Sequence, residues 1–306
     1  MKDLLFIVYF VFIFLTGCNT AVKKKDAKIK IVATTSIVQD AVEQIVGERA
    51  VVETLMGAGV DPHLYKATQG DIEKLNEADI IFYNGLHLEG KMTEVLLNLA
   101  KRKAVWAVSE GIGENELRIL PGSDNLHDPH IWFDVRLWQK ATAFIAQTMG
   151  RLDTINAAEY QLNAKKYLQQ LDSLHQQTLQ QIASIPADQR ILVTAHDAFA
   201  YYSVAYKIEV KSLQGISTAS EFGLQDVTNL VNFITERKIK AVFIESSVPT
   251  RSIEAVVEGC KAKGHIVELG DFLYSDALGE ANTPTATYIG MVKYNTESIV
   301  KALKAN

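Results

Sequence analysis

The stretch from Asn156 to Ile185 reads NAAEYQLNAKKYLQQLDSLHQQTLQQIASI, about thirty residues without Gly or Pro, closed by Pro186. Ala, Leu, Lys and Gln dominate it, and these residues lose little freedom on entering a helix. Tyr160, Tyr167, Leu168, Leu171, Leu174, Leu179 and Ile182 fall near one stripe at helical spacing. At 1.5 Å per residue the segment spans roughly 45 Å. That length suits a strut between two lobes better than a crossover within one, so it divides the chain.

Short apolar runs alternate with amphipathic segments on both sides of the strut. Before it, strands are expected at Ile29–Ala33, Val51–Met56, Asp79–Tyr83 and Ala104–Val108. Helices are expected from Ser36 as N-cap to Val46, over Gly70–Ala78, Lys91–Lys101 and Val135–Leu152, with Gly111–Asn125 a polar loop. After it, strands are expected at Ile191–Thr194, Ile208–Leu213, Ala241–Glu245 and His265–Leu269. Helices there are Asp197–Tyr206, Leu224–Glu236, Ser252–Lys263 and a last one from about Thr285 to Ala305. Strands alternating with helices imply α/β lobes, each a mostly parallel sheet flanked by helices and joined by the one long rigid helix.

The chain has 306 residues, 48% hydrophobic and 22% charged, with a formal net charge of -5. An acidic balance gives no basic face for nucleic acid. Lys2 and the apolar run Leu4–Leu15 have the proportions of an export signal. Its ending, Leu15-Thr16-Gly17-Cys18, resembles the bacterial lipoprotein signal, which implies lipid on Cys18 and anchoring at the cell membrane or in the periplasm. Residues 1–17 are then a signal peptide, 18–28 a tether, 29–155 the first lobe, 156–185 the linking helix and 186–306 the second lobe. Cys260 is the only other cysteine, so no internal disulfide is expected and core size must supply stability.

Asp-Pro-His occurs twice, at Asp61-Pro62-His63 and at Asp128-Pro129-His130. Proline fixes its own φ and keeps the preceding residue out of the helical region, so each imidazole stands on a stiffened turn. One such turn is ordinary loop chemistry; the repeat is not. A third histidine, His196 in Val193-Thr194-Ala195-His196-Asp197, directly follows an apolar strand. Strand ends are where open α/β sheets place their ligands. Three neutral imidazoles suit zinc or another late first-row divalent ion, and a fourth ligand should carry negative charge. Asp271, Asp276 and Glu245 are candidates that spacing does not separate. His87, His127, His175 and His265 lack the repeated context and are expected to be structural. No His-Glu-x-x-His, Gly-x-Ser-x-Gly or phosphate loop is present.

Over nearly its whole length the chain resembles the metal-specific solute-binding lipoproteins of bacterial ABC importers, the zinc and manganese group called cluster 9 or A-I. The matching stretches in the first half are Asp61-Pro62-His63-Leu64-Tyr65, Asn84-Gly85-Leu86-His87-Leu88-Glu89 and Asp128-Pro129-His130-Ile131-Trp132. In the second half they are Thr194-Ala195-His196-Asp197-Ala198-Phe199, Gly215-Ile216-Ser217-Thr218, Glu245-Ser246-Ser247-Val248-Pro249 with Arg251, Tyr274-Ser275-Asp276-Ala277-Leu278-Gly279 and Tyr288-Ile289-Gly290-Met291.

The resemblance implies a metal buried between the lobes, with His63 and His130 from the first and His196 and Asp276 from the second. It implies an ion carried as cargo to an ABC permease by a monomer, not an enzyme. Zinc and manganese fit the set about equally, iron less well. Asp61 and Asp128 are expected to hold the imidazoles that follow them, and Glu245 to pair with Arg251 beside the cleft. A secreted zinc hydrolase built on the same histidines, or a metal-binding adhesin, are the competing readings.

Overall fold

A computed structural model describes residues 28–304 except 121 and 124; the signal, Cys18 and all of the tether but Lys28 lie outside the described residues. The first lobe runs β1 (Ile29–Thr35), α1 (Ser36–Val46), β2 (Ala50–Met56), α2 (Gln69–Glu77), β3 (Ile80–Tyr83), α3 (Thr93–Ala100), β4 (Ala104–Ala107) and α4 (Val135–Leu152). Helix α5 (Ala157–Ala183) follows. The remainder is β5 (Ile191–His196), α6 (Ala200–Tyr206), β6 (Glu209–Gln214), α7 (Leu224–Glu236), β7 (Ala241–Val242), α8 (Arg251–Ala262), β8 (Glu268–Leu269) and α9 (Tyr288–Lys304).

The first sheet has the order β2-β1-β3-β4 and every pairing in it is parallel. In the second lobe β5 pairs with β6 and β7 with β8, again in parallel. A bond from Phe243 N–H to the Val193 carbonyl (2.8 Å) sets the β7 segment beside β5. Buried strands of this kind must be apolar on both faces. On β1, Ile31 and Ala33 enter the central core while Val32 faces a second cluster with Leu75 of α2 and Leu96 of α3. On β5, Leu192 faces the centre and Ile191, Val193 and Ala195 face the layer of α7 and α8. The alternation that sends Leu192 inward sends His196 the same way, because side chains repeat with period two along a strand.

The central cluster does not stop at the lobe boundary. It runs through Ile37 and Ala41 of α1, Trp138 and Ile145 of α4, Tyr160, Tyr167 and Leu171 of α5, Tyr202 and Tyr206 of α6, and Tyr288 and Met291 of α9. Polar bonds reinforce it: the buried Asp40 carboxylate accepts from Tyr167 Oη (3.1 Å) and from the Tyr288 N–H (3.2 Å), joining α1, α5 and α9. Trp132 Nε1 donates to the Ser275 carbonyl (2.9 Å), and Tyr288 Oη to the Trp132 carbonyl (2.6 Å). Among the described residues no helix is long and apolar enough to cross a membrane.

Three expectations need correction. The N-cap of α1 is Thr35, whose hydroxyl accepts from Val38 N–H at 3.3 Å, whereas the Ser36 hydroxyl accepts from the Leu278 N–H (3.0 Å) of the second lobe. The strand expected to reach Glu245 ends at Val242, and Glu245 makes only an isolated bridge to Leu273. The strand expected from His265 is limited to Glu268–Leu269: the His265 N–H is spent on the Cys260 carbonyl (3.0 Å) at the end of α8, and its ring on the Ile239 carbonyl (2.8 Å).

Candidate metal centre

The two Asp-Pro-His turns fold alike. Asp61 Oδ1 accepts from the His63 N–H (2.8 Å), and Asp128 Oδ1 accepts from the His130 N–H (3.0 Å). In each, the aspartate closes a turn on the backbone two residues on, which the proline has already stiffened. His196 ends β5, and Asp276 stands in the loop after β8, which the Trp132–Ser275 bond draws against the first lobe.

These elements bring His63, His130, His196 and Asp276 together, all four buried, with ligand atoms within 4.8 Å of one another. His63 Nε2 is 3.3 Å from His130 Nε2. Asp276 reaches His130 Nε2 with Oδ1 (3.5 Å) and His196 Nε2 with Oδ2 (3.4 Å). Tetrahedral donors at zinc bond lengths of about 2.0–2.2 Å stand about 3.4 Å apart, so these separations are those of edges around one ion. His196 Nε2 and Asp276 Oδ1 are buried without a hydrogen-bond partner, a costly state for polar atoms unless something else satisfies them. Because the two Asp276 oxygens face different histidines, the set offers three nitrogens and up to two oxygens.

The carboxylates behind the imidazoles differ. Asp128 Oδ1 lies 2.8 Å from His130 Nδ1, and Glu245 Oε2 lies 2.5 Å from His196 Nδ1. A carboxylate on Nδ1 holds the proton there and leaves Nε2 with its lone pair toward an ion. Glu245 Oε1 also accepts from the N–H groups of Ala195 (2.8 Å) and His196 (2.9 Å). The expected Glu245–Arg251 pair does not form: Glu245 is buried on His196, and Arg251 opens α8 with an exposed side chain. Asp61 departs from expectation as well. It holds the backbone of His63 and leaves the ring alone, its second oxygen taking the hydroxyl of Thr218 (2.6 Å).

Charge follows this asymmetry. Burial pushes the His63 imidazole down to about 3, so it is neutral at any ordinary pH. Burial acts the same way on His130, but hydrogen bonds and charge from Asp128 and Asp276 outweigh it and hold the ring up at about 9. Glu245 and Asp276 overcome burial at His196, which lies well above the usual imidazole range. Burial opposes the Asp276 charge, yet the surrounding imidazoles keep it well below the usual carboxylate range. A divalent cation held by this set would meet one neutral imidazole and would compete with protons for the other two.

Several supporting residues carry no signal of their own in spacing. Asn84 Nδ2 donates to the Pro129 carbonyl (3.0 Å), bracing the turn under His130. The buried Glu89 accepts from Thr34 Oγ1 (2.7 Å) and from the N–H groups of Asn84 (2.7 Å) and Gly85 (3.2 Å), which fixes that loop. Gly85 has φ +87°, and a Cβ there would meet Ser109 Oγ at 2.4 Å. Ser247 Oγ donates to Asp276 Oδ2 (3.0 Å). Asn84, Gly85, Glu89 and Ser247 lie in stretches that carry the family resemblance, which is the one sequence feature that marks them; Thr34 lies outside those stretches. The remaining histidines stay apart: His127 bridges Ile119 in the polar loop, and the buried His175 lies against the Tyr206 ring, centroids 5.4 Å apart. Asp271, the rival fourth ligand, pairs with Lys301 at the surface (3.3 Å).

A family model described as zinc-uptake complex component A, periplasmic, matches residues 31–302. The chain is 49% identical over 305 residues to the manganese-binding lipoprotein MntA of Bacillus subtilis, covering 99% of each chain. It is 45% identical over 293 residues to the zinc-binding protein TroA of Treponema pallidum, covering 94% of each. The solved structure of the periplasmic zinc-binding TroA superposes with a TM-score of 0.89, covering 91% of this chain and 100% of that one. The manganese ABC transporter substrate-binding lipoprotein PsaA of Streptococcus mitis is 31% identical over 317 residues and 99% of each chain. The chain therefore belongs to the zinc-uptake complex component A family, the substrate-binding components of bacterial metal ABC importers.

Proposed function

We propose that His63, His130, His196 and Asp276 enclose one zinc or manganese ion as cargo, and that the protein hands this ion to its permease as a monomer anchored through lipid on Cys18. The observation that carries the site assignment is the convergence of three imidazole nitrogens and a carboxylate within 4.8 Å, all buried, from four separate segments. Three nitrogens favour zinc in intrinsic affinity, and the second oxygen of Asp276 accommodates the higher coordination that manganese prefers. The relatives divide in the same way, MntA being named for manganese and TroA for zinc. The ion comes from the medium, so availability joins geometry in choosing the metal. A hydrolase on these histidines has no support among the relatives, which are transport components.

The test is competition between zinc and manganese for metal-stripped protein, followed by calorimetry on single alanine variants. His63→Ala, His130→Ala, His196→Ala and Asp276→Ala should each weaken zinc binding by at least about a hundredfold, while Asp271→Ala should leave it unchanged. Wild-type affinity in Asp276→Ala would remove it from the ligand set.

A further inference from the structure

Among the described residues, His63 is the one imidazole of the set with no carboxylate on its Nδ1; His130 has Asp128 at 2.8 Å and His196 has Glu245 at 2.5 Å. It is also the least enclosed ligand, 5% exposed against 0% for His130 and His196 and 1% for Asp276. What holds it is its backbone: Asp61 Oδ1 takes the His63 N–H at 2.8 Å. The other oxygen of Asp61 is held from the opposite lobe, by the Thr218 hydroxyl at 2.6 Å. Thr218 stands in the loop between β6 and α7, which is gathered by Gln214 Nε2 donating to the carbonyls of Thr218 (2.7 Å) and Ser220 and by Ser220 N–H donating to Ser217 (2.9 Å). One carboxylate thus connects a second-lobe loop to the turn carrying the most loosely held ligand.

We propose that Thr218 is a positioning residue for His63, and that the cargo leaves by the His63 side once the Asp61–Thr218 bond opens. The proposal rests on the site assignment above. His130 and His196 each have a carboxylate beside Nδ1 and an Asp276 oxygen 3.5 and 3.4 Å from Nε2, and Asp276 accepts from Ser247. Displacing any of them disturbs buried charge. Displacing His63 requires that its turn shift; Tyr65 ties the far side of that turn to Asp71 (2.6 Å) within the first lobe, and the Asp61–Thr218 bond is the contact that ties it to the second lobe. A permease that draws the Thr218 loop away from the first lobe would loosen one ligand and leave three in place.

The test is zinc dissociation from the full chain, followed as metal passes to an excess of a fluorescent chelator. Thr218→Val and Thr218→Ala remove the hydroxyl, and Thr218→Ser retains it. Loss of a charge-assisted hydrogen bond should make release about tenfold faster in the Val and Ala variants, with Ser near wild type. The association rate should be nearly unchanged in all three. Two variants without the hydroxyl guard against one that folds poorly. Val and Ala releasing zinc at the wild-type rate, or Ser releasing it as fast as Val, overturns the role of Thr218. Wild-type protein that takes up no zinc, or takes it up equally well as His130→Ala, overturns the site assignment beneath it.

Discussion

Changing Glu245 to Gln alters one atom of a side chain that does not face the ion, and the geometry makes it a severe change. Oε1 accepts from two backbone N–H groups at 2.8 and 2.9 Å, and Oε2 lies 2.5 Å from His196 Nδ1. In Glu245→Gln the remaining oxygen can keep both backbone bonds only if the new NH2 faces His196. That NH2 is a donor, so it requires an unprotonated Nδ1 and places the ring proton on Nε2, where the ion should bind. Turning the amide over restores the ring contact and sets the NH2 against two backbone donors in a buried site. Neither arrangement satisfies both sides.

Partners behind metal-bound histidines are worth about 10- to 100-fold in affinity, and the inverted tautomer places this variant at the upper end. The consequence can be read as thermal or denaturant stability. At a free zinc concentration about 100 times the wild-type dissociation constant, binding stabilises the wild type by about 2.7 kcal/mol. With affinity about a hundredfold lower, the same zinc contributes about 0.4 kcal/mol. The assay is zinc-dependent unfolding of wild type, Glu245→Gln and Arg251→Ala side by side. Arg251→Ala should match wild type. An undiminished zinc response in Glu245→Gln would refute the tautomer argument.

The pH dependence has a definite sign. His130 is raised to about 9 in the metal-free fold, so its contribution to stability is complete below the ordinary imidazole value and is lost as pH rises through about 9. Metal-free protein should therefore unfold more easily at about pH 9 than at about pH 6.5, as measured by denaturant titration. Zinc binding near neutrality should release about one to two protons, measurable by calorimetry in buffers of different ionisation enthalpy, and should weaken on acidification; release of none would contradict protonated His130 and His196. Gly85→Ala should destabilise by about 3 kcal/mol, from a left-handed backbone and a Cβ forced against Ser109. Gly90→Ala, where a Cβ meets nothing within 4 Å, is the control in the same melting experiment.

Elements with strong periodicity were legible in the sequence. Helices α4 and α7 begin and end at Val135, Leu152, Leu224 and Glu236 as expected, and α5 occupies Ala157–Ala183 inside its expected 156–185. Patterning failed where tertiary contacts decide. Thr35 and Ser36 are both good capping residues, and only the nearness of Leu278 explains why Ser36 is used elsewhere. The three histidines that cluster in the structure stood out in the sequence because each follows a stiff turn or a strand. Asp276 could not be chosen over Asp271 without the family resemblance, since its place depends on a loop held by Trp132. The role of Glu245 was misread for a related reason. It sits behind His196 because the segment after β7 lies beside β5, a neighbour relation between strands that local sequence does not record.

The hydrophobic core that crosses from one lobe to the other has a consequence for how loading is announced. Receptors whose halves swing apart can report occupancy by overall shape, because empty and full forms present different outlines. Here α1, α4, α5, α6 and α9 share one apolar interior, and parting the lobes would expose Tyr167, Leu171, Tyr202 and Tyr288 to water. Burying a large side chain is worth about 1.5–3 kcal/mol, so a wide swing forfeits several such terms at once. The shared interior therefore opposes any loading motion that parts the lobes widely. If the Asp61–Thr218 bond acts as proposed, the difference a permease reads would lie at the rim of the cleft, in that loop and the turn it holds.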